Sequence, residues 1–306
     1  MAFDFKNVVT LAPAAFVLKA ILVAVTADVI LLGFILLRRA YRRWYFMRRD
    51  ARVVEIRQQW ESLVRGAVPF ETWRNNPRDC QIVESFALDA FEIANCTESA
   101  LILKFLRTSG LIAKFTFEAR RHRGWRRREA MVALGRTRAP EAIPVLSDAL
   151  RDKDPETRLA AVRALERMSC PEAAKELLSW MAESGLTVPA LPVQSALLQC
   201  CAERPQMLIS YLQHAQGATR EILARVLGEI ATPALQTSLL QFVDDELPEL
   251  RAAAARALSH SDPQVAIASL TELSADPIWF VRLRAFVSLG ELRTAAAIPI
   301  LLRGLS

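Results

Sequence analysis

Histidine and tyrosine are scarce in this chain, at three each among 306 residues, and glycine stops at ten. With 15 prolines, glycine and proline are too few for a collagen-like or low-complexity chain. No long stretch alternates apolar β-branched or aromatic residues with polar ones, which excludes an all-β fold. The cysteines are five, an odd number: Cys80, Cys96, Cys170, Cys200 and Cys201. Without a CxxC pair or ligand spacing they predict no zinc site and no disulfide framework, only reduced thiols used as small buried side chains. GxSxG, GxxxxGK[ST] and GxGxxG are missing too, so neither a nucleophile elbow nor a phosphate-binding loop is written here. Each carboxylate has a cap, turn or surface role to fill, and no acid–base pair stands out. The sequence therefore predicts no catalytic residues, no cofactor, no metal and no enzyme.

What is present is apolar helix-forming sequence, 52% hydrophobic and 24% charged, rich in Ala and Leu at helical spacing. The net charge of +6 is placed unevenly. Residues 1–124 hold 19 Lys and Arg against 12 Asp and Glu, whereas residues 125–306 hold 20 against 21. The second part has no basic excess, which speaks against a nucleic-acid partner.

Ala20 to Leu37 reads AILVAVTADVILLGFILL, 18 residues with the single charge Asp28. As a helix it spans about 27 Å, close to the hydrocarbon thickness of a bilayer. Apolar character reaches back to Val8, so one membrane crossing is expected within residues 9–37. The next segment, RRAYRRWYFMRRDAR, carries Arg38, Arg39, Arg42, Arg43, Arg48, Arg49 and Arg52 around Tyr41, Trp44, Tyr45 and Phe46. Arginines on this side predict a cytoplasmic C-terminal body, and the aromatics predict anchors at headgroup level. A cleaved signal peptide would carry its basic residues before the apolar run. Expected localisation is the inner (cytoplasmic) membrane, single-pass. A carboxylate near mid-membrane costs about 2.5–3.5 kcal/mol, so Asp28 is expected to face a partner helix.

The second part repeats. Arg127, Arg158, Arg220, Arg251 and Arg282 fall on a 31-residue grid, with Pro189 in the one vacant position. Leu134, Leu165, Ala196, Leu227, Leu258 and Leu289 follow seven residues after each grid point, and Leu146, Leu177, Leu208, Leu239, Leu270 and Leu301 twelve residues later. Each period holds two helices, such as ETRLAAVRALERM and PEAAKELLSWM, and one pair cannot bury its apolar face alone, so the units must stack. The fold class expected is all-α: an α-solenoid with a 31-residue period, preceded by one transmembrane helix. Domain limits are expected at 1–37 (N-terminus and membrane helix), 38–80 (basic juxtamembrane helix, then a polar connector from Pro69 with Trp73, Asn75, Asn76 and Pro77), 81–124 (a degenerate helical cap) and 125–306 (the solenoid). The third unit, with Pro189 and Pro192, departs from the pattern. Asp154-Pro155, Asp262-Pro263 and Asp276-Pro277 read as helix starts.

Arg127 to Leu150, RREAMVALGRTRAPEAIPVLSDAL, and its relative at 282–305 resemble the short HEAT-like repeats of bacterial proteins, including those of bilin lyases. The resemblance covers residues 125–306 and marks the repeat class rather than a function. It implies that Asp152, Asp245 and Asp276, each six residues before a grid arginine, form an Asp–Arg ladder between successive turns. It also implies that Arg163, Arg225 and Arg256, with Gln194 between them, line a concave face that a protein partner grips. None of the three histidines is followed by Glu, so the His-Glu pairs of metal-dependent HEAT-repeat hydroxylases are missing. Two more surface features are candidates for contacts. One is the run Arg120, Arg121, Arg123, Arg126, Arg127 and Arg128 around Trp125, suited to phospholipid headgroups or an acidic partner. The other is Trp279 with Phe280, where other units carry polar residues. The expected function is a non-enzymatic, membrane-tethered scaffold or adaptor for a protein partner, with self-association open. By analogy it serves as accessory subunit to a membrane glycosyltransferase or polysaccharide system; the alternative is a HEAT-like enzyme such as a bilin-type lyase.

Overall fold

The computed structural model describes residues 5–67 and 76–304, with side chains placed from Phe16 onward except at Ala20. Among these residues every regular element is helical. The chain divides into two compact units, Met1–Val83 and Glu84–Ser306.

The first unit is dominated by α1 (Phe5–Val64), a helix of 60 residues, about 90 Å at 1.5 Å per residue. Beyond Pro13 it holds no proline and a single glycine, Gly33, so nothing in its sequence interrupts it there. It stops at Gly66, which takes φ +78° in the following turn. The expected connector from Pro69 through Trp73 to Asn75 lies outside the described residues. Asn76 accepts a hydrogen bond from the Arg78 N–H at 3.1 Å and starts α2 (Pro77–Ile93). Pro77 to Asp79, expected in the connector, are thus the first turn of a helix, and the expected limit at residue 80 falls inside it. Asp79 is buried and takes the Arg52 guanidinium at 3.0 Å and the Asn76 amide at 3.2 Å.

In the second unit α2 continues from Glu84, followed by α3 (Cys96–Thr108) and α4 (Leu111–Arg121). Asn95 begins α3 as a capping box with Glu98. They stand where the degenerate cap is expected. Lys114 of α4 pairs with Glu84 of α2, and Arg107 of α3 pairs with Glu141 at 2.7 Å.

Beyond the cap, helix pairs repeat. The first helices are α5 (Gly124–Thr137), α7 (Pro155–Met168), α9 (Ala190–Cys201), α11 (Gly217–Ile230), α13 (Pro248–Ala257) and α15 (Trp279–Glu291). Each packs on the next and together they form one layer. The second helices are α6 (Ile143–Leu150), α8 (Pro171–Ser184), α10 (Gln206–Leu212), α12 (Gln236–Leu239), α14 (Pro263–Leu273) and α16 (Ile298–Arg303). Of the first helices only α9 starts off the grid, four residues late, which is where Pro189 breaks the pattern. All six residues seven places after the five grid arginines and Pro189 are buried, from Leu134 to Leu289. Leu146, Leu177, Leu208, Leu239 and Leu270 are buried with them, and Leu301 is half-buried. These two rows are the leucine layer between the helices.

The ladder runs along one edge. Arg127, Arg220 and Arg251 reach Asp152, Asp245 and Asp276 at 2.5, 2.6 and 2.6 Å. Each aspartate also takes the N–H two residues on, from Asp154, Leu247 and Ile278. Arg158, Arg251 and Arg282 donate back to the carbonyls of residues six and five places earlier, so these three turns are clamped from both sides. Asp154 and Asp262 cap α7 and α14 as expected. Asp276-Pro277 does not start a helix. Asp276 is committed to the ladder, and α15 begins two residues later with Ile278 as its cap.

Candidate binding surfaces

Position 132 and its equivalents every 31 residues form a row along the layer of first helices: Val132, Arg163, Gln194, Arg225, Arg256 and Val287. On an amphipathic helix this row is the one turned away from the leucine layer. Arg163 and Arg225 are exposed and make no hydrogen bond or ion pair among the described residues. Arg256 differs. It is half-buried and its guanidinium donates to the carbonyl of Glu229, near the C-terminal end of α11. The Glu229 carboxylate in turn accepts from the Gln194 amide at 3.4 Å. Among the described residues the expected three-arginine stripe is therefore two unpaired cations, Arg163 and Arg225, plus one arginine already holding a helix end. Glu229 is not singled out by the sequence pattern, although it shares a helix face with Arg225 four residues before it.

One turn further along each helix, Arg136 and Arg167 meet α2. Glu92 accepts from Arg136 at 2.7 Å and from Arg167 at 2.9 Å, and Asp89 from Arg136 at 2.5 Å. The Arg136 hydrogen bond holds the Glu92 carboxyl below the usual carboxylate range.

The arginine run at the α4–α5 junction is divided. Arg127 belongs to the ladder and Arg128 pairs with Asp154 at 3.1 Å. Arg120, Arg121, Arg123 and Arg126 have no ion pair or hydrogen bond among the described residues, and Trp125 stands 62% exposed. At the other end of the solenoid Trp279 is 66% exposed, with the half-buried Phe280 ring edge-on to it at 5.9 Å.

A cleft of about 630 Å³ opens between α8, α10 and α11, lined by Leu178, Met181, Tyr211, His214, Thr219 and Leu223 among others. It adjoins the unit whose register is broken, and nothing in the sequence pattern marks it. His214 contacts the Ser210 carbonyl through Nδ1 at 3.1 Å. Among the described residues no three His, Cys, Asp or Glu side chains group as metal ligands would. Burial pushes the Cys200 thiol up to about 12 and that of Cys201 to about 11, so both stay protonated and behave as apolar side chains.

In α1 the large apolar side chains between Phe16 and Leu37 are exposed, and by length and composition the part Phe16–Val64 can cross a membrane. Asp28 is exposed and without an ion pair or hydrogen bond among the described residues. Arg38, Arg39, Arg42, Arg43, Arg48 and Arg49 are likewise exposed and without acid partners among those residues. Their neighbours are rings instead: Arg48 lies 3.9 Å over Trp44, Arg42 6.0 Å from Phe46, and Arg78 5.8 Å from Tyr45.

A family profile described as HEAT repeats matches residues 122–188 and 205–285. Among curated proteins none matches the chain by sequence. Solved structures that align with it include the CpcE–CpcF complex of phycocyanin lyase from Nostoc sp., at 18% identity over 73% of this chain and 94% of that one, with a TM-score of 0.31. An engineered protein aligns at 17% identity over 74% and 72%, with a TM-score of 0.39. Human deoxyhypusine hydroxylase aligns at 18% identity over 71% and 99%, with a TM-score of 0.25.

Proposed function

Because the chain is a HEAT-like repeat protein, whose stacked helix pairs offer a long side-chain surface, we propose that it is a non-enzymatic scaffold, tethered to a membrane by α1, whose solenoid grips a protein partner. The observation that carries the tether is α1 itself. Its segment Phe16 to Leu37 leaves large apolar side chains exposed, at a length that fits a bilayer, and a ring of arginines and aromatics follows at once. In water that surface would be a strong aggregation liability; in lipid it is matched. The arginines favour the cytoplasmic side for the solenoid. The partner surface is the row containing Arg163 and Arg225, two cations without acid partners among the described residues. Such a row suits an acidic protein segment, and a tether raises that partner's effective concentration at the membrane. The finer reading is an accessory subunit beside an integral membrane protein, such as a glycosyltransferase or polysaccharide system.

The tether is tested by extracting membranes at alkaline pH and by a C-terminal reporter active only outside the cytoplasm. The proposal expects the chain to stay in the membrane pellet and the reporter to stay silent. Release into the alkaline supernatant would remove the tether, and an active reporter would reverse the orientation.

A further inference from the structure

We propose that the α4–α5 junction is a second membrane contact, in which Arg120, Arg121, Arg123 and Arg126 bind anionic phospholipid headgroups while the Phe117 and Trp125 rings enter the interface. This deepens the tethered-scaffold reading and rests on it. Of the six arginines in the run, the fold uses Arg127 and Arg128 for Asp152 and Asp154. The other four are unpartnered among the described residues. Arg120 and Arg121 lie in the last turn of α4, where a helix favours cations. Arg123 and Arg126 stand at the start of α5, where the helix dipole disfavours them, and no acid occupies that first turn. Helix stability therefore does not account for Arg123 and Arg126.

The rings are just as unrequired by the fold. Phe117 is 59% exposed and Trp125 62% exposed. Positions equivalent to Trp125 carry Glu156, Thr187, Ala218, Glu249 and Phe280, so the frame does not require a tryptophan there. Each ring has a guanidinium beside it: Arg121 lies 5.9 Å from Phe117, and Arg126 5.5 Å from Trp125. Exposed rings with cations alongside are the pattern of headgroup-level anchors. These rings do not line the cleft described above. A fluid anionic surface needs no groove.

The test uses the full chain in lipid nanodiscs of phosphatidylcholine, with and without phosphatidylglycerol. Hydroxyl-radical footprinting reads oxidation of Phe117 and Trp125 directly. On anionic discs their oxidation should fall at least about threefold relative to zwitterionic ones, an effect within reach of four cations near a charged leaflet. Protection should fade in about 1 M salt, where the Debye length shrinks to about 3 Å. It should vanish in R120E/R121E/R123E/R126E and persist when the same four are changed to Lys. Equal oxidation on both lipids overturns the proposal, as does protection by a soluble polyglutamate peptide but not by anionic discs, which would assign the patch to an acidic protein. The salt series on the unaltered chain decides the matter even if the charge-reversed variant misfolds. Co-elution with purely zwitterionic discs reads α1 separately, so failure of the tether and failure of this patch are told apart.

Discussion

Arg251 occupies the most fully connected rung of the ladder. It is 15% exposed at the side chain and holds Asp276 through Nε at 2.6 Å and Nη2 at 3.1 Å, while Nη1 clamps the carbonyls of Asp245 and Glu246. Replacing it by Ala leaves the buried Asp276 short of its partner and should destabilise the protein by roughly 1–3 kcal/mol, read as a lower unfolding midpoint. An unchanged midpoint would make Arg251 an ordinary surface residue. Burial acts to raise the Asp276 carboxyl, but hydrogen bonds from Arg251 and from the Ile278 N–H outweigh it, and the group sits below its ordinary value of 3.8. A depressed aspartate stabilises the fold above that ordinary value, and the stabilisation is lost as pH falls below it. The acid limb of the stability profile, followed by circular dichroism, should therefore flatten in Arg251→Ala; an identical acid limb would contradict the pairing. The ladder is legible in sequence because Asp and Arg keep fixed offsets in a 31-residue frame and the resemblance to HEAT-like repeats implies that they pair. The role of Arg256 is not, since its partner is a backbone carbonyl, and no side-chain pattern announces that the Glu229 carbonyl needs a donor. Asp276-Pro277 misleads for a related reason: the dipeptide that starts a helix elsewhere here serves the ladder.

At the scale of the element, glycine decides how closely first helices approach. A Cβ at Gly135 would stand 2.7 Å from the Ala164 backbone, so α5 and α7 meet at a contact only glycine allows. Gly135→Ala should cost about 1–3 kcal/mol by forcing the helices apart. Gly290 holds the same frame in α15, yet a Cβ there meets nothing within 4 Å. Gly290→Ala should gain up to about 1 kcal/mol from helix propensity alone. Thermal melts of the two variants check the pair, and equal shifts of the same sign would refute the reading of Gly135 as a packing seat. The shared phase of these glycines is visible in sequence; their different surroundings are not, because a helix neighbour is a tertiary fact. Long-range ties are equally invisible. Glu92 meets Arg136 and Arg167 across 44 and 75 residues of chain, outside any period. The cleft between α8, α10 and α11 is equally invisible in sequence: the pattern marks Pro189 and the four-residue delay of α9, but no residue of α9 lines the space.

At the scale of the whole molecule, the two compact units differ in surface. α1 leaves a run of large apolar side chains exposed, of a length and composition able to cross a membrane, whereas the solenoid buries its leucines and exposes charge. The proposed division of labour follows: α1 fixes the place, and the row through Arg163 and Arg225 fixes the partner. Asp28→Leu should leave partner capture by the solenoid intact and alter only assembly within the membrane. The central claim, that this row holds a partner protein at the membrane, is tested most directly by affinity recovery from detergent-solubilised membranes, with the wild-type chain beside Arg163→Glu/Arg225→Glu. The account predicts that partner recovery falls at least about tenfold in the double variant, as reversal of two contacting charges implies, while helicity and melting stay near wild type. Undiminished recovery of the same partner by a folded double variant would contradict it.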